Sequence, residues 1–182
     1  MTVPEPVGPA DDAQLIAAWR AGDEVAAADL VRRHTPALAR FLAASGARED
    51  LDDLVQETLF RAFRRIETFR GTASFSTWLM AIGSNALKDL RRRARGRTVV
   101  PLEDRELEAE GGDPHALAME RDLLGQLEQA VKKLPPMQRD VFLMRAQQGA
   151  EYGEIAAALE TSVGAARVHY HQAVKRLKAI LR

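Results

Sequence analysis

Apolar residues recur with the 3.6-residue period of an α-helix along nearly the whole chain, and no segment alternates as a strand would. Capping and helix-breaking residues separate the periodic segments. The predicted helices run from Asp11 or Asp12 to Trp19, from Asp23 to about Ala44 with a kink or break at Pro36, from about Glu49 to Thr68, from Ser74 or Ser76 to about Arg95, and over about 114–134, 136–147, 151–159 and 162–181. The pattern predicts an all-α fold.

Residues 96–113 interrupt this pattern, because they are rich in Gly, Pro and acidic residues and poor in large apolar ones. Such a segment cannot bury enough surface to offset its ordering entropy, and we interpret it as a flexible linker. Two small helical domains are therefore expected, residues 11–95 and 114–182, after a disordered tail at residues 1–10. An ordinary long loop inside one domain is the alternative.

Composition constrains the function less than the pattern does. The formal net charge is zero, so nucleic-acid binding has to be argued from where the charges lie. The chain has no cysteine, which excludes disulfides and thiolate metal sites. Its start, MTVPEPVGPADD, lacks the basic and apolar regions of a signal peptide, and no apolar run is long enough for a membrane span. We expect a cytoplasmic protein that does not insert into membranes, and no sensory domain after Arg182.

The carboxyl-terminal part carries the pattern of a helix-turn-helix. A short helix with Ile155 and Leu159 meets a turn at Glu160 and Thr161, and Ser162 can cap a longer helix. Along that helix one apolar stripe is expected in the core: Val163, Ala166, Tyr170, Ala173, Val174, Leu177 and Leu181. The opposite face is the one that a helix-turn-helix presents to the major groove: Ala165, Val168, His169, Gln172, Lys175 and Arg176. An ordinary antiparallel helix pair would show a similar pattern.

The predicted third helix, with the sequence DLDDLVQETLFRAFRRI, has an unusual polar face. Its core side is expected to hold Leu51, Val55, Leu59, Ala62, Phe63 and Ile66. The other side holds Asp53, Gln56, Glu57, Phe60 and Arg64. A phenylalanine inside a polar stripe resembles an apolar anchor with a polar rim, which is typical of a protein-binding surface. A surface phenylalanine folded over its neighbours is the alternative.

The predicted fourth helix ends in a run of cations. Lys88 is followed by Arg91, Arg92, Arg93, Arg95 and Arg97. Cations at a helix carboxyl end are favourable through the dipole alone, and a solvated tail is one interpretation. These cations also adjoin aromatic residues and a Gly-containing loop, which together are suited to binding single-stranded DNA.

Three segments of the chain resemble the extracytoplasmic-function sigma factors, a subfamily of sigma-70-type RNA polymerase subunits. They are DDLVQETLFRAFR, FRGTASFSTWLMAIGSNALKDLRRR and LPPMQRDVFLMRAQQGAEYGEIAAALETSVGAARVHYHQAVKRLK. The resemblance covers residues 11–95 and 114–181. It implies an alternative sigma factor that binds RNA polymerase core through the largest-subunit clamp helices and the flap, binds promoter DNA, and needs no cofactor, metal or catalytic residue. An anti-sigma protein is a further partner that the resemblance implies.

The resemblance also implies roles for particular residues. Asp53, Gln56, Glu57, Phe60 and Arg64 would bind the polymerase core. The loop from Arg70 to Ser74 and the next helix would melt the minus-ten element, with Asn85 reading a flipped base and Lys88, Arg91, Arg92 and Arg93 holding the strand. Trp78 is expected to pack in the core. The helix from Ser162 to Arg176 would read the minus-thirty-five element, and Arg167 and His171 join its DNA-binding set.

The second helix of the helix-turn-helix departs from the family pattern. Members of the family usually have a sequence such as RLHRARERLR, where this chain has HYHQAVKRLK. His169, Gln172 and Val174 therefore replace three expected arginines. Fewer cations lower the salt-dependent part of DNA affinity, while Gln and His can still read bases.

Two other classes of function account for part of the sequence. A stand-alone helix-turn-helix regulator would share the carboxyl-terminal motif but would have no use for the polar face around Phe60. A metal-dependent nuclease would have to use Asp50, Asp52 and Asp53, yet no histidine or further acidic cluster accompanies these carboxylates.

Overall fold

A computed structural model describes residues 11–47, 50–96 and 125–181, and all regular elements within these ranges are helical. The all-α prediction is confirmed. The elements are α1 (Asp12–Arg20), α2 (Glu24–Ala44), α3 (Leu51–Arg65) with a short 3-10 turn (Ile66–Thr68), α4 (Phe75–Gly96), α5 (125–132), α6 (Pro136–Gln148), α7 (Tyr152–Ala158) and α8 (Val163–Ile180). The predicted tail and most of the predicted linker, with the start of the helix expected at 114, lie outside the described residues.

The helix ends follow the capping signals of the sequence. Asp23 Oδ1 accepts hydrogen bonds from the backbone N–H groups of Val25 and Ala26, at 2.9 and 3.2 Å, and thereby caps α2. The predicted break at Pro36 is wrong, because α2 runs continuously through it. Pro36 is exposed, so water can reach the backbone carbonyl that loses its partner there. Gly149, in the left-handed conformation at φ 65°, ends α6.

Both halves of the chain contribute to one hydrophobic cluster within the described residues. Leu30 and Phe41 of α2, Leu79 of α4, Met144 of α6 and Ile155 of α7 are at most 1% exposed. Helix α4 packs against α6 and α7, and α2 packs against α6. The carboxyl-terminal helices therefore lie directly on the amino-terminal bundle in a closed arrangement, which the sequence did not predict.

Three residues that were expected in the core are exposed. Phe63, Val163 and Leu181 are each 42% exposed. Phe63 lies at the edge of the bundle, where its ring packs edge-on against Trp19 at a centroid distance of 4.5 Å. Val163 is the first residue of α8 and Leu181 caps its carboxyl end, so both lie at helix ends.

Candidate polymerase and DNA interfaces

Helix α3 presents all five predicted interface residues to solvent: Asp53, Gln56, Glu57, Phe60 and Arg64. We call this set the α3 face. Phe60 is 57% exposed, and the Arg64 guanidinium carbon lies 5.6 Å from the centre of its ring. The opposite side of α3 buries Leu54 and Thr58, which the sequence analysis had not placed in the core. An exposed aromatic ring beside a cation is a geometry suited to binding a protein surface.

Arg61 connects the α3 face to α4, and sequence reasoning missed it. Its Nε donates to Glu57 Oε1 at 2.7 Å, and its Nη1 donates to Asp89 Oδ2 at 2.9 Å. These hydrogen bonds raise the pKa of Arg61, and the bond from Arg61 lowers the pKa of Asp89. The i, i+4 spacing of Glu57 and Arg61 indicates half of this link, but only the packing of α3 on α4 brings Asp89 to it.

An aromatic cluster joins the segment before α4 to the first turn of that helix. Phe69 packs against Phe75 at 5.8 Å and against Trp78 at 5.2 Å, and Phe75 packs against Trp78 at 5.7 Å. Trp78 thus packs against the core, as predicted. Arg70 is exposed in the same segment. Ser74 is also exposed, but its hydroxyl accepts from the Thr77 N–H at 3.2 Å, so that it caps α4.

The predicted strand-holding residues of α4 fall into two groups. Asn85, Arg92 and Arg93 are exposed, and Arg92 bonds to Asp89 Oδ1 at 3.0 Å. Lys88 and Arg91 are half-buried and bonded: Lys88 Nζ lies 3.2 Å from Asp140 Oδ2 of α6, and Arg91 Nη2 donates to the Ser45 carbonyl oxygen at 2.6 Å. Arg97 lies outside the described residues. Part of the cation run is therefore held in contacts within the protein.

Helices α7 and α8 form the predicted helix-turn-helix. Glu160 takes the left-handed conformation in the turn, and Ser162 Oγ accepts from the Ala165 N–H at 3.1 Å to cap α8. Six predicted DNA-binding residues of α8 are exposed: Arg167, Val168, His171, Gln172, Lys175 and Arg176. Ala165 and His169 are half-buried. This exposed face is the surface that α8 offers to a partner.

Two polar contacts constrain side chains on α8. Gln138 of α6 donates through Nε2 to Gln172 Oε1 at 2.8 Å. The Arg167 guanidinium lies 5.7 Å from the centre of the Tyr152 ring. Sequence reasoning did not identify Gln138, because its position opposite α8 depends on how α6 packs on that helix.

Within the described ranges, no group of three or more His, Asp or Glu residues is arranged to hold a metal ion. Among the described residues, no helix combines the length and the apolar character that a membrane crossing requires.

Comparison with known proteins identifies two sigma-factor regions in the chain. The family model for sigma-70 region 2 matches residues 30–97, and the model for sigma-70 region 4 matches residues 124–177. The RNA polymerase sigma factor NccH of Alcaligenes xylosoxydans is 32% identical over 178 residues, which cover 95% of this chain and 96% of that protein. The ECF RNA polymerase sigma factor SigM of Mycobacterium tuberculosis is 33% identical over 177 residues, which cover 93% and 84%.

Two solved structures share the fold. CnrH, in complex with the cytosolic domain of CnrY, superposes with a TM-score of 0.69 at 30% identity, over 93% of this chain and 96% of CnrH. The sigma factor RpoE of Bartonella quintana, in complex with the anti-sigma factor NepR, gives a TM-score of 0.67 at 23% identity, over 84% and 94%.

Proposed function

This chain belongs to the extracytoplasmic-function (ECF) RNA polymerase sigma factors. We propose which of its surfaces bind the polymerase core and which bind promoter DNA. The chain is an alternative sigma factor that binds RNA polymerase core and directs the enzyme to specific promoters. The observation that carries this function is the presence of sigma region 2 and sigma region 4 in the same chain, at residues 30–97 and 124–177. We propose that residues 11–95 and 114–182 act as its two functional domains, in the cytoplasm.

The α3 face is our proposed contact with the clamp helices of the largest polymerase subunit. Phe60 supports this role, because a 57% exposed aromatic side chain is costly to hydrate and stabilises a complex when a partner covers it. Glu57 is held in place by Arg61, so that part of the polar rim is already ordered before binding.

The loop and exposed face of α4 are our proposed site for the separated strand of the minus-ten element. Asn85 has an exposed amide that can pair with a base edge, and Arg92 and Arg93 are exposed cations about two turns further along the same helix. Arg70 lies in the preceding loop, beside the aromatic cluster. A base reader close to backbone-binding cations is the combination that single-strand binding requires.

Helix α8 is our proposed reader of the minus-thirty-five element in duplex DNA. Residues early in the helix, Arg167 and Val168, would meet base edges, and the later cations Lys175 and Arg176 would meet phosphates. Gln172 adds a side chain that can pair with adenine.

An inhibitory anti-sigma protein is our proposed regulatory partner. CnrH and RpoE, which share the fold, were both solved in complexes, RpoE with an anti-sigma factor. A partner that binds the α3 face and the carboxyl-terminal helices together would bind more tightly than either contact alone, because the second contact forms at high effective concentration. Affinity purification from the native bacterium, followed by titration of any recovered inhibitor with the intact chain, tests this proposal.

The same surfaces argue against the alternative of a stand-alone helix-turn-helix regulator, since the α3 face would then have no function. Sigma factors are not catalytic, and we propose that this chain likewise acts only by binding. The deciding experiment adds the purified chain to polymerase core that lacks any sigma factor. Initiation at a matching promoter supports the proposal, whereas duplex binding without initiation would favour the stand-alone regulator.

A further inference from the structure

A buried carboxylate joins the two halves of the molecule. Asp140 of α6 is 4% exposed, and its Oδ2 accepts a 2.6 Å hydrogen bond from the Ser84 hydroxyl of α4. The same oxygen lies 3.2 Å from Lys88 Nζ, one turn further along α4. A carboxylate removed from water needs such partners, because an unpaired buried charge is strongly unfavourable. Ser84 and Lys88 together form an anion-binding position on α4 that Asp140 fills.

Two more polar contacts follow α4 toward its beginning. The Ser76 hydroxyl donates to Gln148 Oε1 of α6 at 2.9 Å, and the Ser74 N–H donates to Glu154 Oε1 of α7 at 2.8 Å. Contacts between the halves thus extend from the first turn of α4 to Lys88. Asn85 stays exposed between Ser84 and Lys88, so the closed arrangement covers one side of the helix and leaves the other open.

We infer that this closed arrangement is autoinhibitory: Asp140 occupies the position on Ser84 and Lys88 that a backbone phosphate of the separated promoter strand must take. This inference rests on the proposed role of α4 in holding that strand. A carboxylate and a phosphate are both anions that bind the same hydroxyl and ammonium donors, and one position cannot hold both. The carboxyl-terminal helices must therefore leave α4 before Lys88 can hold DNA.

If only open molecules bind DNA, the apparent DNA affinity of the free protein equals the affinity of the open form multiplied by the fraction of molecules that are open. Removing the charge of Asp140 should raise that fraction. A hydrogen bond to a charged group corresponds to roughly tenfold or more in an equilibrium constant. Asp140→Asn keeps the shape of the side chain, so the expected change is an increase of roughly tenfold in the ratio of open to closed molecules.

Fluorescence energy transfer measures that ratio directly. The chain has no cysteine, so cysteines that replace the exposed residues Ala13 of α1 and Ala179 of α8 can carry a donor and an acceptor dye. Asp140→Asn should shift molecules to lower transfer efficiency, and Ser84→Ala should shift them in the same direction by less. Asp29→Asn is the matched control, since it makes the same charge change at an ion pair within α2.

The functional consequence is measured with a fluorescent single-stranded oligonucleotide of mixed sequence. Asp140→Asn should bind it several-fold more tightly than Asp29→Asn does, and adding Lys88→Ala to Asp140→Asn should abolish the gain. The inference is overturned if Asp140→Asn stays as closed as the wild type, or if it opens and binds DNA no more tightly than the control.

Sigma activity is assayed separately, by initiation with sigma-free core. If the wild-type chain initiates transcription but the Asp140→Asn variant stays closed, only the autoinhibition is contradicted. A wild-type chain that never initiates contradicts the proposed function, whatever the fluorescence shows.

Discussion

Arg139 of α6 donates through Nη1 to the backbone carbonyl oxygen of Ser45, at the end of α2, over 2.7 Å. Arg139 is only 7% exposed. Its other guanidinium nitrogens donate to the carbonyl oxygens of Val131 and Lys132, at the end of α5, and of Leu134, which follows α5. Burial, and secondarily the neighbouring charge of Arg91, lowers the pKa of Arg139. One planar cation thus links the amino-terminal bundle, α5 and α6.

Replacing Arg139 should destabilise the whole fold. Arg139→Met removes a guanidinium donor from four carbonyl groups, although the Ser45 carbonyl keeps its hydrogen bond from Arg91. We expect a loss of about 3 kcal/mol in the free energy of unfolding, measured by urea denaturation. Arg139→Lys should recover little of it, because one ammonium group cannot reach carbonyls on opposite sides. The control Arg32→Met removes an exposed arginine, paired with Asp29, and should cost less than about 0.5 kcal/mol. Equal stability of the two methionine variants would contradict the role given to Arg139.

Phe60→Ala should weaken binding to polymerase core without affecting the fold. Phe60 is exposed in the free protein, so its truncation removes little intramolecular packing but loses about 2 kcal/mol or more of binding free energy if it is an anchor. Titration of labelled core with the variant measures the loss, and circular dichroism checks the fold. The control is Val25→Ala, which truncates a 72% exposed apolar residue of α2. Core affinity that changes equally in the two variants would refute the assignment.

Asn85→Ala and Arg92→Ala should impair promoter opening while leaving assembly with core intact. Both side chains are exposed on α4, and neither belongs to the α3 face. Asn85→Ala is the cleaner test, because Arg92 bonds to Asp89, which also accepts from Arg61 next to that face. Permanganate footprinting of unpaired thymines on a matching promoter should show several-fold less melting. Arg40→Ala, which removes an exposed arginine of α2, serves as the control. Full opening by the Asn85 variant would mean that another residue captures the base.

The stability of the amino-terminal bundle should decrease at mildly acidic pH through His34. The ring is half-buried, 5.1 Å from the Phe75 ring, with Nε2 2.8 Å from Asp12 Oδ2. Burial lowers the pKa of His34 below its ordinary value of 6.5, although Asp12 opposes the shift. The unfolded chain therefore takes up a proton at a higher pH than the folded one, and the free energy of unfolding falls as the pH drops from 6.5 through the folded-state pKa.

The measurement for His34 is urea denaturation at several values between about pH 7.5 and about pH 5. His34→Gln cannot take up this proton, so its stability should change less over the same interval than that of the wild type. A variant with the same pH dependence as the wild type would assign the effect to other groups.

The sequence by itself determined the all-α class, the family and the exposed side of α3. The all-α class and the exposed side of α3 depend on the helical period and on local capping signals, which neighbouring residues decide among themselves. The family was indicated by the resemblance of three segments to known sigma factors. The sequence predicted burial less well for side chains that only another helix can cover. Phe63 has the period of a core residue, yet it lies at the edge of the bundle, where it packs edge-on against Trp19 and stays 42% exposed.

Only the tertiary structure decided which charged residues meet across the two halves. Arg139 and Asp140 are adjacent in α6, and nothing in the local sequence distinguishes them from exposed charged residues. Lys88 lies next to the arginine run of α4, where a solvated cation would be expected. The packing of α6 on α4 and α2 buries both residues of α6 and pairs them with Lys88, Ser84 and the Ser45 carbonyl. Such pairings join residues 52 or more positions apart in the chain. They depend on the relative position of whole helices, which no local periodicity encodes.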